Sequence, residues 1–178
     1  MALKSTIFKI DLSISDLDRD YYAEHPLTIA RHPSETDQRM MLRILAFIFN
    51  ANESLEFTKG LSEVDDPDLW QKNLHGEIEH WIELGQPSEQ RVKKGCNQAQ
   101  KMSLYSYDSN VFNQWWQKEH NALAMKKNLT VVSIAESVGE QLAQLVDRHM
   151  QIQCTISAAQ AWLTIGDTSI EVTPVVHQ

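Results

Sequence analysis

The chain has 178 residues and a mass of 20.4 kDa, enough for one domain whose core needs no disulfide or zinc to fold. Its 16 Lys and Arg against 24 Asp and Glu give a net charge of −8, which excludes a generic polycationic binder of nucleic acid. Hydrophobic content of 42%, charged content of 22% and only 6 Gly and 5 Pro exclude disorder, collagen-like repeats and low complexity.

The N-terminus, Met-Ala-Leu-Lys-Ser-Thr-Ile, leads directly into alternating apolar and polar residues. It shows no basic-then-apolar leader, and no run of about 18 apolar residues follows anywhere, so the expectation is a soluble cytoplasmic protein with no membrane partner. Cys96 and Cys154 are too few and too distant for a disulfide framework and read as buried, reduced thiols. The His residues include no zincin-type pair on one helix. No linker or internal repeat divides residues 1–178, so a single domain is expected.

Thr6 to Ile14 alternates as a strand, and a second extended stretch runs from Tyr21 to about Ala30. Ser34-Glu35-Thr36-Asp37 reads as a capping box, which starts a helix there and carries it to about Phe49. Met41, Ile44, Leu45 and Ile48 form its buried stripe; Glu35, Arg39 and Arg43 follow at four-residue steps on a face expected to be solvated. Leu55 to Thr58 is a short strand, and Asp65-Asp66-Pro67-Asp68 reads as a loop. Glu77 to Leu84 is a strand, Pro87-Ser88 opens a helix through about Lys101, and Met102 to Tyr107 is a strand. Asn110 to Ala122 is a helix, Leu129 to Ile134 a strand and Ala135 to Leu145 a helix. Gln151 to Ile156 and two strands joined at Gly166-Asp167 close the chain. Strand and helix alternate in the middle while both ends are strand-rich, which predicts an α/β fold: a mixed β-sheet with flanking helices and extra strands at both termini. On the third helix, Trp115 and Trp116 read as one packed and one half-exposed ring.

Charge is unevenly distributed. Asn52 to Gly85 holds nine acids and two bases, a net of −7, whereas Gln86 to Lys127 holds seven bases and three acids, a net of +4. Within the acidic block, the period of two puts Glu77, Glu79, Trp81 and Glu83 on one strand face, and Ile78, His80, Ile82 and Leu84 on the other. The plain interpretation is a strand with one wet, charged face. The chemical one is a carboxylate pair, Glu79 and Glu83, about 13 Å apart along the strand and suited to two ions better than to one. His80 reads as a hydrogen-bonded core histidine. On the following helix Arg91, Lys94, Gln98 and Lys101 share a face, and a lysine beside metal-binding carboxylates can hold a scissile phosphate.

The segments Leu27-Thr28-Ile29-Ala30-Arg31-His32-Pro33-Ser34-Glu35-Thr36, Arg39-Met40-Met41-Leu42-Arg43, Phe57-Thr58-Lys59-Gly60-Leu61 and Trp81-Ile82-Glu83-Leu84-Gly85, the last continuing through Pro87, Arg91, Lys93, Lys94 and Gln98, resemble the bacterial YaeQ family. The resemblance implies a restriction-endonuclease-like core, that of PD-(D/E)XK nucleases in a RecB-like variant. In that superfamily a helix Glu, an acid on one strand and an acid-x-Lys on the next converge on Mg²⁺ or Mn²⁺. Carried over, Glu35 is the helix acid, Glu83 the downstream acid and Glu79 the other strand acid, with Asp65 and Asp66 as alternatives. These three glutamates would be the metal ligands. Gly85 stands where the lysine belongs, so Lys94, or Lys93, would supply the charge from the helix. Gln98 fits the helix glutamine of RecB-like nucleases, although Met102 stands where a Tyr often follows. Arg31, Arg39 and Arg91 would contact a nucleic-acid backbone. The expected function is a Mg²⁺-dependent phosphodiester hydrolase acting on nucleic acid. The alternatives are a catalytically inactive module of the same fold that binds nucleic acid or a protein partner, and an interaction protein whose charges keep it soluble.

Overall fold

The computed structural model describes residues 3–178. Its first elements are β1 (Thr6–Asp16), β2 (Tyr21–Arg31), α1 (Asp37–Asn50), β3 (Leu55–Phe57), a 3-10 turn (Gly60–Ser62), β4 (Leu69–Lys72), β5 (Ile78–Leu84) and α2 (Glu89–Gln98). There follow β6 (Ala99–Asp108), α3 (Asn110–Leu123), β7 (Leu129–Ala135), α4 (Glu136–Gln144), β8 (His149–Ser157), β9 (Gln160–Ile165), β10 (Thr168–Val172) and β11 (Val175–Val176). They build two mixed sheets and fall into two compact units, with one boundary inside α1 after Met41.

The first unit runs to Met41 and resumes over Ser137–Pro174. Its sheet has the order β10-β9-β8-β1-β2, with β1 antiparallel to β2 and parallel to β8. The alternation read from the sequence is kept: Phe8, Ile10, Leu12 and Ile14 are buried along β1 and Met150, Ile152, Cys154 and Ile156 along β8, while Lys9, Asp11, Gln151 and Gln153 are exposed.

The second unit spans Leu42–Glu136 and Val175–Gln178. Its sheet has the order β11-β7-β6-β5-β4-β3, with β5, β6 and β7 mutually parallel and the flanking strands antiparallel. Parallel neighbours need a crossover, and α2 and α3 supply the two that join β5 to β6 and β6 to β7. Trp81, Met102 and Leu129 stand in register across these strands and pack with Val92, Cys96, Phe112 and Leu123 from the helices. Gly95 permits this approach. A Cβ there would lie 2.7 Å from Met102 Sδ and 3.1 Å from Trp81 Cδ1. On the opposite face Phe47 stacks on Phe57 at 5.2 Å, and Asn50 donates to the Tyr105 hydroxyl at 2.9 Å.

Several sequence expectations change. α1 is capped two residues later than expected: Thr36 Oγ1 accepts from Arg39 N at 3.1 Å, whereas Ser34 Oγ bonds His32 Nδ1 at 2.6 Å. Its Glu35-Arg39-Arg43 face is not solvated, since Glu35 and Arg43 are both buried. α2 stops at Gln98 because Ala99 is already extended and opens β6 with no intervening loop. The wet face expected of β5 is absent: from His80 to Leu84 every residue is buried, as a strand with neighbours on both sides and helix cover requires. Trp115 and Trp116 are both half-buried. Cys96 and Cys154 are free and buried, and His80 shares a 2.7 Å hydrogen bond with Ser103.

Two measurements follow from this packing. Gly95→Val forces Met102 and the Trp81 ring apart and lowers unfolding stability by about 1–3 kcal/mol in a denaturant titration. Burial, with Lys101 adding, lowers the His80 pKa from 6.5 to about 4, so the ring is neutral in the folded chain. The unfolded chain therefore binds a proton that the native chain refuses across that window. Stability is unaffected above pH 6.5 and falls by about 3 kcal/mol as pH drops toward 4, a slope that His80→Gln removes.

Candidate functional site

The second unit contains a polar cluster set into an apolar layer. Register across the parallel strands places Glu83 in one row with Leu104 and Val131. A carboxylate in such a row loses its water, and Glu83 is only 8% exposed. Its partners come from the same strand and from the helix above. Trp81 Nε1 donates to Oε2 at 2.9 Å, Arg91 Nε donates to Oε2 at 3.1 Å, and Arg91 Nη2 donates to Oε1 at 3.3 Å. The Arg91 guanidinium also sits 5.4 Å over the Trp81 ring. Local sequence fixes this geometry: Gly85, at a φ of 85°, turns the chain out of β5, and Ser88 Oγ caps α2 by accepting from Arg91 N at 3.2 Å. Arg91 is thereby held in the first turn, over the strand that α2 has just left.

Beside Glu83 stands a second buried carboxylate. The antiparallel register of β4 on β5 begins with Leu69 opposite Ile82 and Trp70 opposite Trp81, and Asp68 immediately precedes it. Asp68 is 3% exposed; its N–H donates to Ile82 O at 3.0 Å and its Oδ2 accepts from Leu84 N at 3.1 Å. Burial first, and then the Asp68 charge, push the Glu83 carboxyl above the usual glutamate value, opposed by Arg91 and Trp81.

The guanidinium has donors to spare, and they reach the loop before β4. Arg91 Nη1 donates to Val64 O and Nη2 to Asp66 O, the latter at 2.6 Å. One turn further along α2, Lys94 Nζ pairs with Asp65 Oδ1 at 2.8 Å, which holds the Asp65 carboxyl below its usual range. The structure thus joins Glu83, Arg91, Lys94 and Asp65, all singled out from the sequence, with Asp68, which sequence reasoning missed. The available signal was Pro67-Asp68 directly before Leu69-Trp70-Gln71-Lys72, a β4 segment overlooked because its acids read as one continuous loop.

The remaining candidates have partners or exposure of their own. Glu79 Oε2 accepts from Gln71 Nε2 at 2.6 Å, and Lys93 is exposed. Gln98 is exposed beside Glu77 and Ile78, at the end of β5 opposite Glu83 and about 16 Å from it along the strand, so it does not orient Glu83. In the first unit Glu35 pairs with Arg39 at 2.9 Å, and Arg31 pairs with Asp37. The arginines expected to face nucleic acid are each engaged by a carboxylate of the chain itself. Among the described residues no group of three or more His, Cys, Asp or Glu side chains is gathered to hold a metal ion, and no helix is long and apolar enough to cross a membrane.

Comparison with known proteins gives one consistent result. Residues 1–174 match the family model described as YaeQ protein. A relative from Salmonella typhi, named Uncharacterized protein YaeQ, is 44% identical over 97% of this chain and 95% of its own length. Its namesake from Escherichia coli K12 is 42% identical with the same coverage. The crystal structure of YaeQ protein from Xanthomonas axonopodis pv. citri superimposes with a TM-score of 0.95 at 41% identity, covering 98% of each chain. That of YaeQ protein from Pseudomonas syringae gives 0.94 at 37% identity, covering 98% of this chain and 96% of its own.

Arg91 supplies the counter-charge to buried Glu83. Arg91→Met leaves Glu83 buried beside Asp68 without its counter-charge and lowers unfolding stability by about 2–4 kcal/mol, measured by denaturant titration near neutral pH. Arg91→Lys recovers only part of the loss, because a single ammonium cannot span both Glu83 oxygens and two loop carbonyls.

Proposed function

The chain belongs to the YaeQ family, and we propose that it is a Mg²⁺-dependent phosphodiester hydrolase acting on nucleic acid, with a PD-(D/E)XK-type core in its second unit. One observation carries the reading: Asp68 and Glu83 are both buried, the Leu84 N–H beside Glu83 donates to Asp68 Oδ2, and the Asp68 charge acts on Glu83. An acid at the head of one strand and another on the next is the arrangement that the superfamily pattern asks for. Asp68 therefore takes the role expected of Glu79.

The donor set fits Mg²⁺, which is commonly bound by one or two carboxylates together with substrate phosphate oxygens. Asp68 and Glu83 would hold the ion. When bound, it would polarise the phosphodiester and lower the pKa of a coordinated water. The chain's own contributions are distinct. Trp81 Nε1 fixes one Glu83 oxygen, and the Leu84 N–H fixes one Asp68 oxygen, so both carboxylates are oriented before any ligand arrives. Arg91 and Lys94, on successive turns of α2, would receive the non-bridging phosphate oxygens. Lys94 thereby stands in for the lysine that Gly85 replaces.

A second reading, a catalytically inactive module of the same fold, is favoured by the way Arg91 already takes both oxygens of Glu83. Calorimetry with Mn²⁺ separates the two. The hydrolase requires one binding event that Asp68→Asn and Glu83→Gln each weaken by at least about tenfold, followed by Mg²⁺-dependent cleavage of DNA or RNA that both variants lose. Absence of binding, or binding indifferent to both substitutions, refutes the metal site; binding without cleavage of any polynucleotide leaves the inactive module.

A further inference from the structure

The two cations given to phosphate in this reading are already occupied by oxygens of the chain's own acidic loop. Lys94 Nζ holds Asp65 Oδ1 at 2.8 Å and Asp65 O at 3.3 Å. Arg91 holds the carbonyl oxygens of Val64 and Asp66. A carboxylate and neighbouring carbonyls thus present to α2 the kind of oxygen cluster that a phosphodiester would present.

What fastens the loop is equally informative. Val64 is 83% exposed and Leu61 43% exposed, and the Gly60–Ser62 turn buries no residue. The loop has no apolar anchor, so the α2 cations hold it through contacts that an external anion and salt can compete for. Its neck is fixed independently. Thr58 N donates to Asp68 O at 3.2 Å, Thr58 Oγ1 donates to Pro67 O, and Gly60 N donates to Thr58 Oγ1 at 3.0 Å. Residues 61–66 can therefore lift while β3 and β4 keep their register and Asp68 stays bonded to β5 through Ile82 O and Leu84 N.

We propose that the Glu63–Asp66 loop is an internal phosphate mimic that covers Arg91 and Lys94 and is displaced when a polynucleotide backbone takes its place. This rests on the phosphodiester reading of the site and adds its regulation: the acids screen the cations from isolated anions, and a chain of linked phosphates, which releases counterions at each contact, overcomes the screen. Asp65 is the central element, because its side chain is 92% exposed and yet paired with Lys94.

The test uses the full-length protein in EDTA, so that no metal contributes, with a short fluorescein-labelled single-stranded DNA as probe. Asp65→Asn keeps the size of the side chain and removes its charge. It tightens binding by roughly three- to tenfold relative to the wild type, and the gain disappears in Asp65→Asn/Lys94→Ala. Hydrogen exchange of loop amides 61–66 accelerates when the DNA binds the wild type, while β3 and β4 stay protected. Equal affinities of wild type and Asp65→Asn, loop amides that become more protected on binding, or no binding to either protein each overturn the mimic. None of these results touches the Mn²⁺ titration of Asp68→Asn and Glu83→Gln, which decides the hydrolase reading separately.

Discussion

Glu83 occupies a position that its row assigns to Leu104 and Val131, and the Arg91 guanidinium makes a charge tolerable there. A desolvated carboxylate is costly, and a single ammonium would satisfy one oxygen and leave the other bare. The planar fork reaches both, and its remaining hydrogens extend to the loop carbonyls of Val64 and Asp66. One side chain thus ties α2 to β5 and to the segment before β4. The contacts that make this possible are backbone features: the Gly85 turn, the Ser88 cap and the missing Cβ of Gly95, which together set the height and angle at which α2 crosses the strand.

The charge pattern along the chain takes on a different meaning once this node is in view. An acidic stretch followed by a basic one suggested cations offered to an external polyanion. In the structure the two stretches meet: Arg91 answers Glu83 and Lys94 answers Asp65. The same holds in the first unit, where Arg31 pairs with Asp37 and Arg39 with Glu35. Much of the local positive charge is neutralised internally, so the net of −8 describes the surface that a partner first meets better than the basic block does. On the proposed reading, a phosphate would reach Arg91 or Lys94 by exchange with a carboxylate.

Periodicity carried most of the fold. The β1 alternation, the β9–β10 hairpin at Gly166-Asp167 and the strand–helix alternation of the middle were all readable from spacing, because each depends on neighbours in sequence. What escaped depends on neighbours in space. A wet face for β5 followed from its acids taken alone. The parallel β6 and the cover of α2 make the strand interior, and the tryptophan set among the acids was the clue. Asp68 escaped because β4 is four residues long and opens directly from an acidic loop, so nothing local separates the residue that turns inward from Asp65 and Asp66. Glu83, Arg91 and Lys94 were legible as candidates; the loop contacts that occupy the two bases were not.

Asp68 and Glu83 place two buried carboxylates close together. An ion pair kept for stability alone gains nothing from a second acid, and replacement of buried pairs by apolar side chains is often neutral or stabilising. Asp68 contributes to the fold through its bond to Leu84 N, a task that a neutral asparagine oxygen would perform without raising the Glu83 pKa. On the proposed reading, Asp68 and Glu83 would hold a divalent cation that offsets their mutual repulsion, and Arg91 would supply counter-charge to a phosphate. On that reading the Asp68 and Glu83 carboxylates are held ready for the cation, and the acidic loop on Arg91 and Lys94 is its counterpart on the substrate side.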